Sequence, residues 1–493
     1  MNVAAAVEGH PRDALALVTD EGSTSYGALY DQVARLRTGL AGLGLEPGDR
    51  VAVIAPNSRC FVASYVAGLG AGLVVVPLNP ASTGRELERE LADVGVRAAI
   101  VDGSGLAAFA TVDRAKVPAL EHVVVTEGDQ GLPLDELLTA EPTPLVDRDA
   151  DDLAVLMFTS GTAGFPKAAM LTHGNLLANI AQAQEAEGRA QGPDDLVLGV
   201  LPMFHIFGLN VVLGLSLVAG SAVLLVERFD PAACLQAVAA HGVTVVPGAP
   251  ALWAGWAALP DADPEALSTV RLAASGAARL PVEVMHAIDR RFGVGIAEGY
   301  GLTEASPIVT TSLGTGAAPG SIGVPLPGVE VRLVDGDGDD VLVGDAGEIW
   351  VKGPNVFQGY WGDAEATATA LGDDGWLRTG DVAVVDDTGA LFLVDRAKDL
   401  IIVSGFNVFP AEVEEVLLEI PGVTGAAVVG VPHPQTGETV KAFVSVEPGR
   451  TVSAEDVAAV CAQSLSRYKC PSNVEFVDAL PTNLGKVLRR SLR

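Results

Sequence analysis

The chain has 493 residues, 49% of them apolar and 19% charged, with a formal net charge of -31. That length exceeds one ordinary core and, at roughly 100 to 200 residues per domain, calls for two or more units, while the apolar content excludes a disordered chain. So acidic a surface repels nucleic acid and anionic lipid headgroups, and it would repel nucleotide phosphates as well unless donors are concentrated locally, for which only seven Lys exist.

Residues 1–20 lack a basic stretch followed by an apolar run and a small-residue cleavage site, so no secretory signal is expected. Cys60, Cys234, Cys461 and Cys470 show neither CxxC nor Cys/His metal spacing, and four Cys in so long a chain make no disulfide framework. A reducing, cytoplasmic setting is the corresponding expectation. Between 50 and 350, short Val/Ile/Leu runs at 50–55, 72–76, 98–101, 243–246 and 270–274 alternate with Ala-rich helical patterns, which predicts an α/β region with largely parallel sheets. Residues 204–226 carry no charge and are long enough to span a bilayer. His205, Asn210, Ser216 and the Gly220-Ser221 break predict instead a buried helix, a turn and a buried strand. From Gly323 onward, Gly/Pro/Asp turns separate strands such as 347–352 and 390–395, the texture of a smaller β-rich subdomain. A charged segment at 395–399 then precedes a compact βα pattern that runs to Arg493 and is large enough to fold alone.

The stretch 156–171, LMFTSGTAGFPKAAML, carries the most chemistry. An apolar strand leads into hydroxyls and glycines, then a Lys, and a helical pattern follows Thr172-His173-Gly174. Glycines let backbone N–H groups close around a phosphate; Thr159, Ser160 and Thr162 add hydroxyl donors, and Lys167 adds a mobile charge. The pattern is not GxxxxGK[ST], because the Lys follows Pro166 and no Ser or Thr follows it. Near the other end, Pro481-Thr482-Asn483-Leu484-Gly485 reads as a turn that presents Lys486 on a loop.

Seven segments, FTSGTAGFPK, PMFHIFG, EGYGLTEASP, GEIWVKGPNVFQGYW, RTGD, DRAKDLIIVSGFNVFPAEVE and LPTNLGKVLRRSLR, occur in that order. Their wording resembles the adenylate-forming acyl-CoA synthetase family, from roughly Tyr26 to the end, and is most similar to bacterial long-chain fatty-acid CoA ligases. The resemblance implies an N-terminal AMP-binding region of parallel-sheet α/β subdomains plus the β-rich subdomain (1–395), a hinge (396–398) and a small mobile α+β C-terminal domain (399–493). It implies ATP, Mg²⁺ and coenzyme A as reactants and cofactor, a fatty acid as substrate, and an acyl-AMP intermediate. No nucleic acid and no transmembrane segment are expected; transient contact with a membrane surface and a homodimer are compatible with it.

Residue by residue, the resemblance implies that Thr159, Ser160, Gly161, Thr162, Gly164 and Lys167 hold phosphates. Glu304, assisted by Thr162, would be the acidic ligand of Mg²⁺, an ion that takes one or two protein groups and phosphate oxygens. Tyr300 would stack on adenine beside Gly276, Ala277, Glu298 and Gly299, with Gly301 and Thr303 in the same loop. Asp381 would accept both ribose hydroxyls and Arg396 donate to the same sugar. Lys486 would bridge the carboxylate and the α-phosphate. His205, Phe207, Leu209, Trp253 and Leu302 would border the acyl pocket, Arg228, Ser404, Gly405 and Phe406 would contact coenzyme A, and Lys398 would be the pivot. No Ser-His-Asp or Cys-His arrangement is evident, consistent with a reaction that needs no protein nucleophile.

The chain departs from the family pattern at Ala163 where Thr is frequent and at Ala168 where Gly is frequent. Leu209 stands where some long-chain members place a gating Trp, and Gly299 where malonate-activating relatives use Arg. Two rival readings keep the first half-reaction: loading of a carrier-protein arm, and ligation of an aryl acid. A membrane or non-catalytic nucleotide-binding protein is the third, opposed by the presence of both Glu304 and Lys486.

Overall fold

Strands buried on both faces read as continuous apolar runs, as the strand Arg50–Ile54 does after its first residue: Val51, Ala52, Val53 and Ile54 have no exposed surface. Alternate residues serve two different cores. Val51 and Val53 join the largest apolar cluster, while Ala52 and Ile54 join another on the opposite face. The computed structural model describes all residues except 160–165, 187–190, 336–337, 397–400, 409, 448, 481, 484–485, 488–491 and 493, and only the backbone at 394–396, 407, 411, 482–483 and 486–487.

Two α/β sheets share that largest cluster. A seven-stranded sheet runs Leu132–Pro133, His122–Val125, Ala98–Val101, Arg50–Ile54, Val74–Leu78, Leu153–Thr159 and Lys167–Thr172. Its pairings are parallel up to the last, which is an antiparallel hairpin. A nine-stranded sheet has a parallel centre in which Leu15–Thr19, Ala222–Leu225, Leu196–Gly199, Val245–Gly248, Leu272–Ser275 and Ala297–Gly301 are neighbours in that order. Leu17, Val197 and Val223 from this sheet and Val53, Val75 and Val155 from the other meet in one core, together with Leu29, Leu36 and Leu40 of helix Tyr26–Gly42.

A four-stranded antiparallel meander, Glu330–Val334, Gly347–Lys352, Leu377–Val385 and Leu391–Arg396, forms the β-rich part, and Ile349, Val351 and Leu377 tie it into the same core. Beyond 397–400, a five-stranded sheet centred on Gly437–Val446 packs with helices Pro410–Leu418 and Ala454–Ser464 around a separate cluster that includes Ile401, Val413, Leu417, Val444 and Cys461.

The uncharged stretch folds as a π-helix Phe207–Gly214 continued by Leu215–Ala219, a left-handed Gly220 with φ 75°, and the strand Ala222–Leu225. Among the described residues no helix is long and apolar enough to cross a membrane. Lys167–Thr172 is a return strand, and helix His173–Glu185 starts where Thr172 caps it, next to the Thr172-His173-Gly174 start that the sequence indicates.

Candidate active site

The strand Ala297–Gly301 ends at the carboxyl edge of the large sheet, where a parallel α/β sheet ordinarily places its ligands. A single 3₁₀ turn, Thr303–Ala305, carries Glu304 there, and Ser306 follows in the left-handed region at φ 70°. Such a turn costs backbone energy unless its surroundings over-determine it. Three buried Asn do so: Asn355 Nδ2 donates to the Ala305 carbonyl (2.8 Å), Asn210 Nδ2 to that of Ser306 (2.7 Å), and Asn179 both donates to and accepts from the backbone of Ile308 (2.8 and 3.0 Å).

Glu304 faces the hairpin of Leu153–Thr159 and Lys167–Thr172. Its Oε1 accepts from the Tyr360 hydroxyl at 2.6 Å and from Thr159 Oγ1 at 3.4 Å. Tyr360 is aimed by its own segment, because Gly359 and Trp361 bond to the backbone of Met170 and Ala168 on the return strand. Burial, then the Glu304 carboxylate, push the Tyr360 phenol far above its ordinary value, so it stays a donor. Lys167, opposite Thr159 in the hairpin register, pairs with Asp363 at 2.9 Å, and its ammonium lies 5.5 Å from the centre of the Tyr360 ring. Thr159, Lys167 and Glu304 are therefore brought together; Ser160, Gly161, Thr162 and Gly164 lie outside the described residues.

A second cluster joins the large sheet to the meander. Tyr300 is buried and its hydroxyl donates to Asp381 Oδ2 at 2.7 Å, while the backbone of Asp381 pairs with that of Arg396. Glu298 is also buried; its Oε1 accepts from the Leu280 amide, and burial raises its carboxyl above the ordinary range. It thereby pins the end of the segment that holds Gly276 and Ala277, the latter at φ 69°. A Cβ on Gly276 would lie 3.0 Å from the Phe207 ring, and one on Gly299 3.0 Å from the Thr310 carbonyl, so both positions are lined closely.

His205 precedes the π-helix; its Nδ1 accepts from the Phe207 amide at 3.2 Å, and burial among apolar groups pushes the imidazole down to about 4. Leu302 is partly buried against the central core, into which Leu209 packs with no exposed surface. Trp253 packs in another cluster, edge-on to Trp256 with centroids 5.5 Å apart, and neither ring has exposed surface. Arg228 is exposed on the turn after strand Ala222–Leu225.

From the C-terminal unit, Phe406 lies between two rings, 6.3 Å from Phe204 and 4.7 Å from Tyr468. Ser404 and Gly405 are left-handed at φ 53° and 83°, and a Cβ on Gly405 would lie 3.5 Å from Ala249. Lys486 sits in a two-stranded hairpin opposite Asn483, and Lys398 lies outside the described residues. Sequence reasoning missed Tyr360, Asp363, Asn179, Asn210 and Asn355. The signal for Tyr360 was its place in the motif GEIWVKGPNVFQGYW; nothing in the sequence marks the Asn residues, whose roles depend on distant backbone.

The hairpin ends Thr159 and Lys167 thus lie under the Glu304 turn, and Tyr300 pairs with Asp381. Residues 3–361 match the family model described as AMP-binding enzyme, and residues 412–485 match AMP-binding enzyme C-terminal domain. A feruloyl-CoA synthase from Amycolatopsis sp is 40% identical over 95% of this chain and 93% of its own. A long-chain-fatty-acid–CoA ligase from Bacillus subtilis (strain 168) is 37% identical over 91% and 86%. The solved structure of the amide bond synthetase McbA from Marinactinospora thermotolerans superposes with a TM-score of 0.89 at 31% identity, covering 100% of this chain and 99% of that one. The chain belongs to the AMP-binding enzyme family, the adenylate-forming acyl-CoA ligases.

Proposed function

We propose that this chain is an acid–thiol ligase for a monocarboxylate with an apolar body, a fatty acid foremost, acting through acyl-AMP. The observation that carries the substrate reading is the uncharged wall: 204–226 bears no formal charge, Phe207 rests on Gly276, and His205 is neutral at pH 7. No cation stands there to hold a second carboxylate, and bulk at Gly299 meets the Thr310 carbonyl. An aryl acid is the second reading, favoured by the 40% identity to a feruloyl-CoA synthase.

In the first half-reaction a substrate carboxylate oxygen bonds to the α-phosphorus of ATP, and the bond to the bridging oxygen breaks with pyrophosphate leaving. Catalysis is then positioning and electrostatics. Thr159 and Lys167 hold phosphate oxygens, Asp381 accepts the ribose hydroxyls with Tyr300 behind it, and Lys486 steadies the charge that gathers on the α-phosphate. Glu304 offers a hard oxygen donor whose Oε1 is already engaged by Tyr360 and Thr159, which fits an ion that takes few protein ligands. Mg²⁺ bound there would neutralise phosphate charge. In the second half-reaction the coenzyme A sulfur bonds to the acyl carbon, AMP leaves, and the thiol proton passes to solvent. Ser404, Gly405 and Phe406 would meet the incoming thiol; the closeness of Gly405 to Ala249 and the stacking of Phe406 on Phe204 support that placement.

The test is ATP-dependent thioester formation over acetate, malonate, ferulate and straight-chain acids of increasing length. Medium to long fatty acids should outperform acetate and malonate. Preference for ferulate selects the second reading, and preference for malonate or an amino acid removes both.

A further inference from the structure

The C-terminal unit meets the rest of the chain at helix Gly84–Asp93, and the contact is ionic and buried. Lys469 Nζ donates to Glu86 Oε1 at 2.9 Å and to Glu412 Oε1 at 3.0 Å, with all three residues under a tenth exposed. Glu86 also accepts from the Ser466 hydroxyl at 2.9 Å and the Ser466 amide at 3.2 Å. At the rim, Arg85 makes a two-pronged bond to Glu419, at 2.8 and 2.5 Å. Burial opposes the charge on Glu86, and Lys469, the Thr83 amide and Ser466 overcome it, holding the carboxyl below its ordinary range.

Lys469 and Glu412 both belong to the C-terminal unit, so they stay paired wherever that unit sits. Glu86 is the fixed partner. Separating the units would return Glu86 to water and leave Lys469 with Glu412 alone, so the bonds from Lys469 and Ser466 to Glu86 are made only in this seat. What the seat delivers follows from the next residue along: Tyr468 stacks on Phe406, Phe406 faces Phe204, and Phe204 precedes His205 at the mouth of the apolar stretch.

We propose that Glu86, through Lys469, is a positioning residue for the thiol-transfer half-reaction: it seats the C-terminal unit so that Tyr468 and Phe406 close over the acyl end of the site, and it takes no part in adenylation. This rests on the two-step ligase reading above.

Glu86 also closes the capping box of its helix with Thr83, a role Gln fills equally well, so Glu86→Gln removes the charge and keeps the fold. Pyrophosphate exchange should stay within about twofold of wild type, while thioester release from supplied acyl-AMP and coenzyme A should fall about tenfold, the order expected for a lost charge-assisted bond. On the exposed rim, Arg85→Glu should slow thiol transfer about threefold, and Arg85→Glu with Glu419→Arg should restore it. Equal loss in both half-reactions, no loss in either, or failure of the swap to rescue overturns the proposal. Wild-type protein that makes acyl-AMP but no thioester with any acid of the panel overturns instead the ligase reading on which it stands.

Discussion

The turn that carries Glu304 and the loop that carries Gly405 are both short, strained pieces of backbone, and they are held in opposite ways. Glu304 is fixed by side chains from separate segments of one continuous core: Asn179, Asn210, Asn355, Tyr360 and Thr159. Phe406 is held by two ring contacts and, one residue beyond Tyr468, by a buried ion set that spans two units. The Glu304 turn is preorganised, whereas the Phe406 loop, on the function proposed above the thiol side, is positioned by contacts between units. That division suits a reaction in which one half needs charge stabilised without reorganisation and the other needs a site opened and closed for a large acceptor.

The largest expected effect tests which side Lys486 serves. Removing one donor aimed at transition-state charge typically costs on the order of 10² to 10³ in rate, so Lys486→Ala should lose that much pyrophosphate exchange and still convert supplied acyl-AMP to thioester. Near wild-type exchange would show that the C-terminal hairpin has no part in the preorganised half. Lys398 is the proposed pivot between units. Fixing φ there with Pro should leave much of the acyl-AMP formation and lower coenzyme A-dependent turnover by tenfold or more. Stopped assays of each half-reaction decide it, equal losses rejecting the pivot.

Tyr360 probes the preorganised side alone. A hydrogen bond to a charged group contributes about 1.5 to 3 kcal/mol, so Tyr360→Phe should slow adenylation roughly tenfold and raise the Mg²⁺ concentration needed for half-maximal exchange. Thioester release from supplied acyl-AMP should be unchanged. A variant whose Mg²⁺ dependence matches wild type would mean that Tyr360 supports the hairpin rather than the carboxylate.

The same division explains what the sequence disclosed. Strands such as Arg50–Ile54 and Ala98–Val101 were legible because parallel strands buried on both faces read as nearly continuous apolar runs. The helix, turn and strand of 204–226 were legible from Gly220 and the run after it, although not the π register. Thr159, Lys167 and Glu304 were legible as chemistry in ordered motifs, and the hairpin brings them together. The bonds of Asn355 and Asn210 were not, since their partners lie 50 and 96 residues away and neither side chain has a local signal for them. Glu86 was invisible for the same reason at larger scale: it reads as a capping Glu, and its second role depends on residues about 380 positions on.

The smallest effect measures the docked contact through a proton. Glu90 lies one turn beyond Glu86, and its Oε2 is buried without a hydrogen-bond partner among the described residues. Burial raises its pKa from 4.5 to about 8; Glu86 and Glu412 add to the rise, and Lys469 and Arg89 oppose it. Two of those groups belong to the C-terminal unit, so the shift is in part a property of the docked arrangement. The folded pKa lies above the unfolded one, so the folded state binds a proton that the unfolded state lacks between them. The resulting stability is complete below about pH 4.5 and is lost as pH rises through 8. At 1.36 kcal/mol per pKa unit, about 1 kcal/mol should disappear between pH 7 and 8. Glu90→Gln supplies a neutral side chain at every pH and should flatten that part of the curve. Urea midpoints of the two proteins, followed from pH 6 to 9, should therefore converge at the acid end and separate at the alkaline end, with the variant more stable. Parallel curves would mean that the C-terminal unit does not cover Glu90 in solution, and the contrast between a prebuilt and a docked half-site would have to be drawn without this contact.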